Sequence, residues 1–313
     1  MRVRKHLNIG SPLFSPAMEL SSFKGVIAAV VTPSVNVREK MAETVDFLSK
    51  RGVYGLFVLG TMGEGVKLGR EKRAEVAEAA VEAARRDNLV IIHVGAADLD
   101  TVIWLTKHAE KIGAHAVSAV APFYYRYDTE SLIKFYQKIS DNTSLPVLVY
   151  NNPGRQGYAL TMDFLVKILE QVSPPPGLKE SSGDPDLLLQ LFHKFGGERF
   201  MAAGGDHIMA YSFMIGYERH VSAVAALYPE VASGIYLSVK RGDFAEALRL
   251  QNVFNKVREA VKKVGPDTAA ARCVLKMRGL DVGEPLAPTR PLTQQEIETL
   301  AKLLPAEKEI ITS

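Results

Sequence analysis

The sequence predicts an α/β fold: a closed (β/α)8 barrel of the TIM type that is followed by a C-terminal helical domain. Eight short β-rich runs alternate with helical patterns, and eight is the number of strands that closes such a barrel. After Asp243 the pattern becomes purely helical. An open doubly wound sheet would alternate in the same way, but its dinucleotide-binding form needs a Gly-x-Gly-x-x-Gly motif after the first strand. This sequence lacks that motif, so the closed barrel is favoured.

The predicted strands are short and rich in β-branched residues, as expected of a parallel sheet that is buried on both faces. They are residues 26–31, 54–59, 90–94, 116–120, 147–150, 177–179, 199–203 and 220–224. The sequence therefore predicts an N-terminal extension at residues 1–22 and a barrel core at residues 23–228. The last barrel helix and the C-terminal helical domain are predicted at residues 229–313.

The segments between the strands carry apolar residues at steps of three and four, which is typical of helices with one buried face. Asp128 and Asp184 are predicted N-cap residues, because a short side-chain oxygen can accept hydrogen bonds from the first turn of a helix. Pro185 follows Asp184 and suits the first helical position. The first helix places three apolar residues on one face: Met41, Val45 and Leu48.

Composition narrows the class of protein. Of 313 residues, 47% are hydrophobic and 23% are charged, and the net charge is +3, which is typical of a globular protein with a large core. Basic residues are interleaved with acidic ones and no segment could span a bilayer, so neither a nucleic-acid nor a membrane partner is expected. Cys273 is the single cysteine, and residues 1–20 do not resemble a signal peptide. We therefore expect a cytoplasmic location.

Candidate catalytic residues follow the predicted strands, where the active sites of such barrels lie. Lys179 ends the sixth strand, and a buried lysine can become a neutral nucleophile. At an ordinary pKa of about 10.4, only about one lysine in a few thousand is neutral at pH 7. Tyr150 and Thr61 could move protons to and from the intermediate, and Arg155 could bind a carboxylate.

Each of these residues also has an ordinary structural interpretation. A lysine at a strand end is usually a surface residue, a tyrosine there usually packs in the core or an interface, and a loop arginine is usually solvated. None of them predicts a function when it is taken alone. The prediction depends on their convergence at one end of the barrel.

Four segments at the strand ends carry a longer pattern. They read GTMGEG at residues 60–65, APFYYR at 121–126, YNNPGRQG at 150–157 and GLKESSGD at 177–184. In this order they resemble the family of dihydrodipicolinate synthase, N-acetylneuraminate lyase and 2-keto-3-deoxygluconate aldolase. The likeness extends from about residue 23 to residue 304.

The resemblance implies a lyase that assembles as a homodimer or homotetramer and uses no cofactor and no metal. It implies that Lys179 forms a Schiff base with pyruvate or a similar 2-oxo acid, with Tyr150 beside it and Thr61 in a hydroxyl relay. Tyr124 matches the relay tyrosine that enters from the neighbouring subunit. The resemblance also implies five substrate-binding residues: Arg155, Gly60, Met62, Gly205 and Val221. Of these, Arg155 matches the residue that binds the carboxylate of the second substrate.

Two departures from the family pattern bear on ligands. Met62 stands where synthases have a second hydroxyl that helps to hold the pyruvate carboxylate. Losing one hydrogen bond to a charged group costs about 1.5–3 kcal/mol, which is roughly a ten- to hundred-fold loss of affinity. Ala97 and Thr101 stand where lysine-regulated synthases have an asparagine and a glutamate, so feedback by lysine is not expected.

The substrate stays open between two groups of family members. Arg155 favours a synthase or a sialate-type lyase, whereas residues 123–125 resemble the lyase version of their segment. We favour a synthase-like condensation of pyruvate with aspartate semialdehyde. The alternative is an aldolase that acts on a 2-keto-3-deoxy sugar acid or on N-acetylneuraminate.

Three rival interpretations have less support from the sequence. His93, His207 and His220 could be imagined as ligands of a metal-dependent aldolase, but they lack a tight ligand spacing. Residues 203–206 lie where some barrels hold phosphate, but Asp206 would repel an anion. A small-molecule sensor that has lost activity would keep the fold, but the lysine, tyrosine, threonine and arginine all remain.

Overall fold

A closed barrel of eight parallel strands forms the centre of the protein, in a computed structural model that describes residues 20–310. Each strand pairs with its neighbours in sequence, and the first pairs with the eighth to close the ring. The strands are β1 (Gly25–Ala29), β2 (Gly55–Val58), β3 (Leu89–His93), β4 (Ala116–Val120), β5 (Val147–Asn151), β6 (Gly177–Glu180), β7 (Met201–Ala203) and β8 (Arg219–Ser222).

Helices cover the outside of the barrel and continue after the last strand. They are α1 (Val37–Ser49), α2 (Arg70–Ala83), α3 (Leu99–Lys111), α4 (Thr129–Ser140), α5 (Pro153–Gln156), α6 (Met162–Gln171), α7 (Pro185–Phe195), α8 (Met209–Met214), α9 (Pro229–Arg241), α10 (Phe244–Lys263), α11 (Asp267–Met277), α12 (Gln294–Leu303) and α13 (Glu307–Ile310). Between residues 20 and 310, no helix has the length and apolarity that crossing a bilayer requires.

The strands are buried on both faces, because helices pack outside and side chains fill the barrel. In β1, Ile27 belongs to the interior cluster, whereas Val26 and Ala28 pack toward the helices. Tyr150 of β5 and Lys179 of β6 are register partners, so their side chains project to the same face of the sheet. Strand pairing therefore brings the two principal predicted residues together.

The predicted order of strands and helices is confirmed, with small shifts at the ends. Asp128 accepts a hydrogen bond from the Ser131 amide, and Asp184 accepts from the amides of Asp186 and Leu187, so both are N-caps. The seventh strand begins at Met201, two residues later than the predicted start at position 199, although the Phe200 carbonyl before it still accepts a hydrogen bond from the Leu178 amide of β6.

The C-terminal helices lie against the barrel at the end that carries the site. Gln251 of α10 accepts a hydrogen bond from the Ala210 amide and donates one to the Asp206 carbonyl. Arg272 of α11 reaches the loop after β2. The predicted boundaries at residues 22 and 228 stay a prediction, and the predicted extension lies outside the described residues except for the short turn Leu20–Ser22.

Candidate active site

A cavity with two adjoining lobes opens at the C-terminal ends of the strands. One of them, here the lysine lobe, has a volume of about 480 Å³ and is lined by Lys179 and the loops after β6 to β8. The other, here the histidine lobe, has a volume of about 470 Å³ and is lined by His93 and the loop after β2. Four residues line both lobes, so the lobes form one mouth: Thr61, Tyr150, Arg155 and Asp267.

Lys179 is held in an apolar and aromatic environment at the end of β6. Its side chain is buried, with 4% relative exposure. The amine Nζ lies 3.7 Å from the centroid of the Phe57 ring and 3.8 Å from that of the Tyr150 ring. Burial lowers the pKa of Lys179 below its ordinary value, although Tyr150 and Asp206 partly oppose the shift. A larger fraction of this lysine is therefore neutral at pH 7 than of an exposed one.

Tyr150 links the lysine to two polar side chains. Its phenolic oxygen shares a hydrogen bond of 3.3 Å with Thr61 Oγ1 and accepts one of 2.8 Å from Asn152 Nδ2. Burial opposes ionisation of the phenol, but the Lys179 charge and the bonds from Thr61 and Asn152 outweigh it and lower the pKa of Tyr150. The phenol is thus suited to exchange a proton beside the amine.

The other predicted site residues fall into two groups. Met62, Gly205 and Val221 line the lysine lobe, Gly60 lines the histidine lobe, and Arg155 lies at the exposed rim of both. Tyr124 is different: it is 88% exposed, has a positive φ of 80° and packs edge-on against Tyr125. Within one chain, Tyr124 lies outside the residues that line the two lobes.

The loop after β2 is shaped by close backbone packing. A Cβ on Gly65 would lie 1.9 Å from the Leu59 carbonyl oxygen, and a Cβ on Gly60 would lie 2.5 Å from the Phe57 ring. Glu64 has a positive φ of 52° and is buried, where it pairs with Arg272 at 2.9 Å and with Lys67 at 2.6 Å. This loop therefore has little freedom to move Thr61.

A buried hydrogen-bond network orders the loop after β5. The Glu180 carboxylate accepts from Asn151 Nδ2 at 2.7 Å, and Gln156 Nε2 donates to Asn151 Oδ1 at 2.9 Å. Gln156 Oε1 in turn accepts from the Asn152 amide at 3.0 Å. The network holds α5, which carries Arg155. Sequence reasoning assigned no role to these residues, although the YNNPGRQG and GLKESSGD segments contain them.

Asp206 occupies the backbone donors at the end of β8. Its Oδ1 accepts from Ser222 Oγ at 2.6 Å and from the Ala223 amide at 3.1 Å. The position that the sequence suggested for a phosphate is thus filled by a carboxylate of the chain itself, and burial raises the pKa of that carboxyl.

Each of the three histidines considered as metal ligands has a different environment in the fold. His93 Nε2 accepts from the Val120 amide at 3.2 Å, and His220 Nδ1 shares a hydrogen bond of 2.9 Å with Ser212 Oγ. His207 is exposed at the edge of the lysine lobe. In the described part of the chain, no group of three or more His, Cys, Asp or Glu residues could hold a metal ion.

Comparison with known proteins gives the family. The model of the dihydrodipicolinate synthetase family matches residues 22–307. The chain belongs to this family. A DapA-like lyase of Halobacterium salinarum is 32% identical, with 87% of this chain and 90% of that protein covered.

Two further relatives of this chain are named for different reactions. The 2-dehydro-3-deoxy-D-gluconate/2-dehydro-3-deoxy-phosphogluconate aldolase of Thermoproteus tenax is 29% identical, with 87% of each chain covered. A crystal structure of dihydrodipicolinate synthase DapA-2 of Bacillus anthracis has a TM-score of 0.84 at 26% identity, with 90% of this chain and 97% of that chain covered. The family and the barrel fold predicted from the sequence are confirmed, and the protein is a lyase of this family.

Proposed function

We propose that the protein forms a Schiff base between Lys179 Nζ and the carbonyl carbon of pyruvate or a similar 2-oxo acid. The observation that carries this proposal is the buried amine, which lies against the rings of Phe57 and Tyr150. Burial keeps part of the amine neutral, as nucleophilic attack requires. The cavity beside it has room for a small acid and a second substrate.

The chemical steps follow from this arrangement. The neutral amine attacks the carbonyl carbon to give a carbinolamine, and a proton from the Tyr150 phenol lets the hydroxyl leave as water. The resulting iminium acidifies the adjacent methyl group, which loses a proton to the Tyr150 phenolate to give an enamine. The enamine carbon then attacks the carbonyl carbon of an aldehyde, whose oxygen takes a proton from the Tyr150 phenol to become a hydroxyl. The reverse sequence cleaves such a product. Thr61, which is hydrogen-bonded to Tyr150, continues the proton path.

Cations in the lysine lobe support an aldehyde that carries an anionic group. Arg155 lies at the rim after β5, and Arg258 and Lys262 of α10 line the same lobe. A guanidinium binds a carboxylate with two parallel hydrogen bonds. We therefore favour condensation of pyruvate with aspartate semialdehyde, the reaction of a dihydrodipicolinate synthase.

A second candidate is cleavage of a 2-keto-3-deoxy sugar acid. Ser181 and Ser182 line the lysine lobe and offer hydroxyl groups to a polyhydroxylated chain. The aldolase of Thermoproteus tenax is a relative of this kind. Met62 in place of a hydroxyl residue also departs from the synthase pattern.

We further propose that the active form is a homodimer or homotetramer. Tyr124 and Tyr125 are both largely exposed, which suits a contact with a second copy of the chain. In this arrangement Tyr124 of one copy completes the relay at Thr61 of another. An active isolated monomer, identified by sedimentation and assayed at the same concentration, would contradict the arrangement.

Borohydride reduction in the presence of pyruvate tests the Schiff base. Intact mass and peptide mapping should show one adduct per chain, located at Lys179 and absent from Lys179→Ala. Lack of an adduct with every 2-oxo acid tried would contradict the proposal. Assays with aspartate semialdehyde plus pyruvate, and with 2-keto-3-deoxygluconate alone, then distinguish the two candidate reactions.

A further inference from the structure

Asn152 donates a short side-chain hydrogen bond to the Tyr150 phenol. Its Nδ2 lies 2.8 Å from the phenolic oxygen, whereas Thr61 Oγ1 lies at 3.3 Å. Asn152 also lines the lysine lobe, as Lys179 does. The family resemblance implies no role for this side chain.

The direction of this hydrogen bond determines where the phenolic proton points. An amide nitrogen can only donate, so the phenolic oxygen uses a lone pair to accept from Asn152. The single phenolic proton must then point elsewhere, and Thr61 Oγ1 and the Lys179 amine are the other hydrogen-bond partners of the phenol. Asn152 thus keeps the phenolic proton on the relay side rather than toward the loop after β5.

Asn152 is itself held in place by the buried network. Its backbone amide donates to Gln156 Oε1, and Gln156 is bonded to Asn151, which donates to the Glu180 carboxylate. Glu180 follows Lys179 directly in β6. The amide donor and the amine are therefore anchored to the same pair of neighbouring strands, which keeps their relative position constant.

We propose that Asn152 is a positioning residue for the Schiff-base step: it orients the Tyr150 phenol and stabilises the phenolate that forms when the phenol gives up its proton. This inference rests on the proposed function for its catalytic consequence. The coupling between Asn152 and Tyr150 can be measured without any substrate.

The first experiment is a spectrophotometric titration of Tyr150. The ionisation of this phenol is obtained as the difference between a protein and its Tyr150→Phe counterpart. Removing a hydrogen bond to a charged oxygen raises the pKa of that group, so Asn152→Leu should shift the Tyr150 ionisation upward by about one to two pH units. Asn152→Asp, which keeps the shape and adds negative charge, should also shift it upward.

The second experiment measures the rate of borohydride-trapped adduct formation with pyruvate as a function of pH. The rate should fall at high pH as the phenol ionises, and Asn152→Leu should move this alkaline limb upward and lower the rate at pH 7 by about ten-fold. Asn142→Leu is the matched control, because Asn142 follows α4 at the opposite end of the barrel. It should change neither quantity.

The possible outcomes distinguish the proposed role of Asn152 from the proposed Schiff base at Lys179. An unshifted Tyr150 ionisation in Asn152→Leu, or a rate lowered equally at every pH, would overturn the role of Asn152. If Asn152→Leu does not fold, the same criterion applies to Asn152→Ala, which also removes the amide donor and adds no charge. A shifted ionisation in a protein that traps no 2-oxo acid would retain the Asn152–Tyr150 coupling and reject the Schiff base.

Discussion

Breaking the buried ion pair between Glu64 and Arg272 should destabilise the protein by several kcal/mol. The side chains of Glu64 and Arg272 are 1% and 3% exposed, and the guanidinium lies 2.9 Å from the carboxylate. Arg272 also donates to the Thr32 carbonyl at 2.7 Å. The pair therefore ties α11 to the loop that carries Thr61.

The magnitude follows from the loss of one partner. Glu64→Gln keeps the shape but leaves a buried guanidinium without its counter-charge, and such a change costs about 3–5 kcal/mol. At about 2.1 cal/mol/K per residue, the unfolding entropy of a 313-residue chain is about 0.66 kcal/mol/K. The melting temperature should therefore fall by about 5–8 °C.

Differential scanning calorimetry at one scan rate measures the change, with Glu43→Gln as the matched control. Glu43 pairs with Lys40 at 2.8 Å but is 41% exposed, and an exposed pair contributes about 0.2–1 kcal/mol. The control should therefore shift the melting temperature by at most about 1.5 °C. A Glu64→Gln protein that melts within this range of the wild type would refute the argument.

The pH dependence of stability gives an independent check. Burial opposes ionisation of Glu64, but hydrogen bonds and charges from Lys67 and Arg272 outweigh it, so the folded pKa lies below the ordinary glutamate value. The stability from this group is fully present above the ordinary value and is lost as the pH falls through the lowered one. Glu64→Gln should therefore lose less stability on acidification than the wild type, because it has no carboxylate at this position to be protonated.

Three further predictions concern the reaction. Tyr150→Phe should slow adduct formation with pyruvate by about 10²–10⁴-fold while the melting temperature changes little; an unaltered rate would remove Tyr150 from the proton path. Met62→Thr restores a hydroxyl near the expected position of the pyruvate carboxylate, so a binding titration should show roughly ten- to a hundred-fold tighter binding of pyruvate. Equal affinity would mean that backbone amides already satisfy this carboxylate. Arg155→Leu should raise the KM for an anionic aldehyde by about ten- to a hundred-fold, while borohydride trapping of pyruvate should not change. If the variant loses pyruvate trapping to the same extent, Arg155 does not act on the second substrate alone.

Several parts of the fold follow from local features of the sequence. The cap at Asp184 needs only a carboxylate and the free amides of the next turn, which are a few residues away. The alternation of buried runs with helical patterns likewise predicts eight strand and helix units. Because Tyr150 and Lys179 each lie one residue before the end of two successive strands, pairing of those strands places them side by side. Their proximity was therefore predictable.

Other features depend on contacts that no local pattern encodes. Glu64 and Arg272 are 208 positions apart, and their contact arises only because α11 packs against the loop after β2. Asn151 and Gln156, the two residues that link Glu180 to Asn152 in the network, were visible in the motif, but the direction of each side chain was not. Tyr124 shows the reverse case: the resemblance implies a relay role, whereas a single chain places the residue at the surface.

The amino-acid sequence by itself determined the order of elements, the family and the lysine at the end of the sixth strand, because periodicity, capping and motif spacing act over short distances along the chain. Only the tertiary structure decided how that lysine is surrounded. Barrel closure brings β2, β5 and β6 around one interior. The rings of Phe57 and Tyr150 therefore desolvate the lysine amine, and the Asn152 side chain can donate a hydrogen bond to the Tyr150 phenol. Desolvation and hydrogen-bond direction depend on positions in three dimensions, and these set the reactivity of the amine.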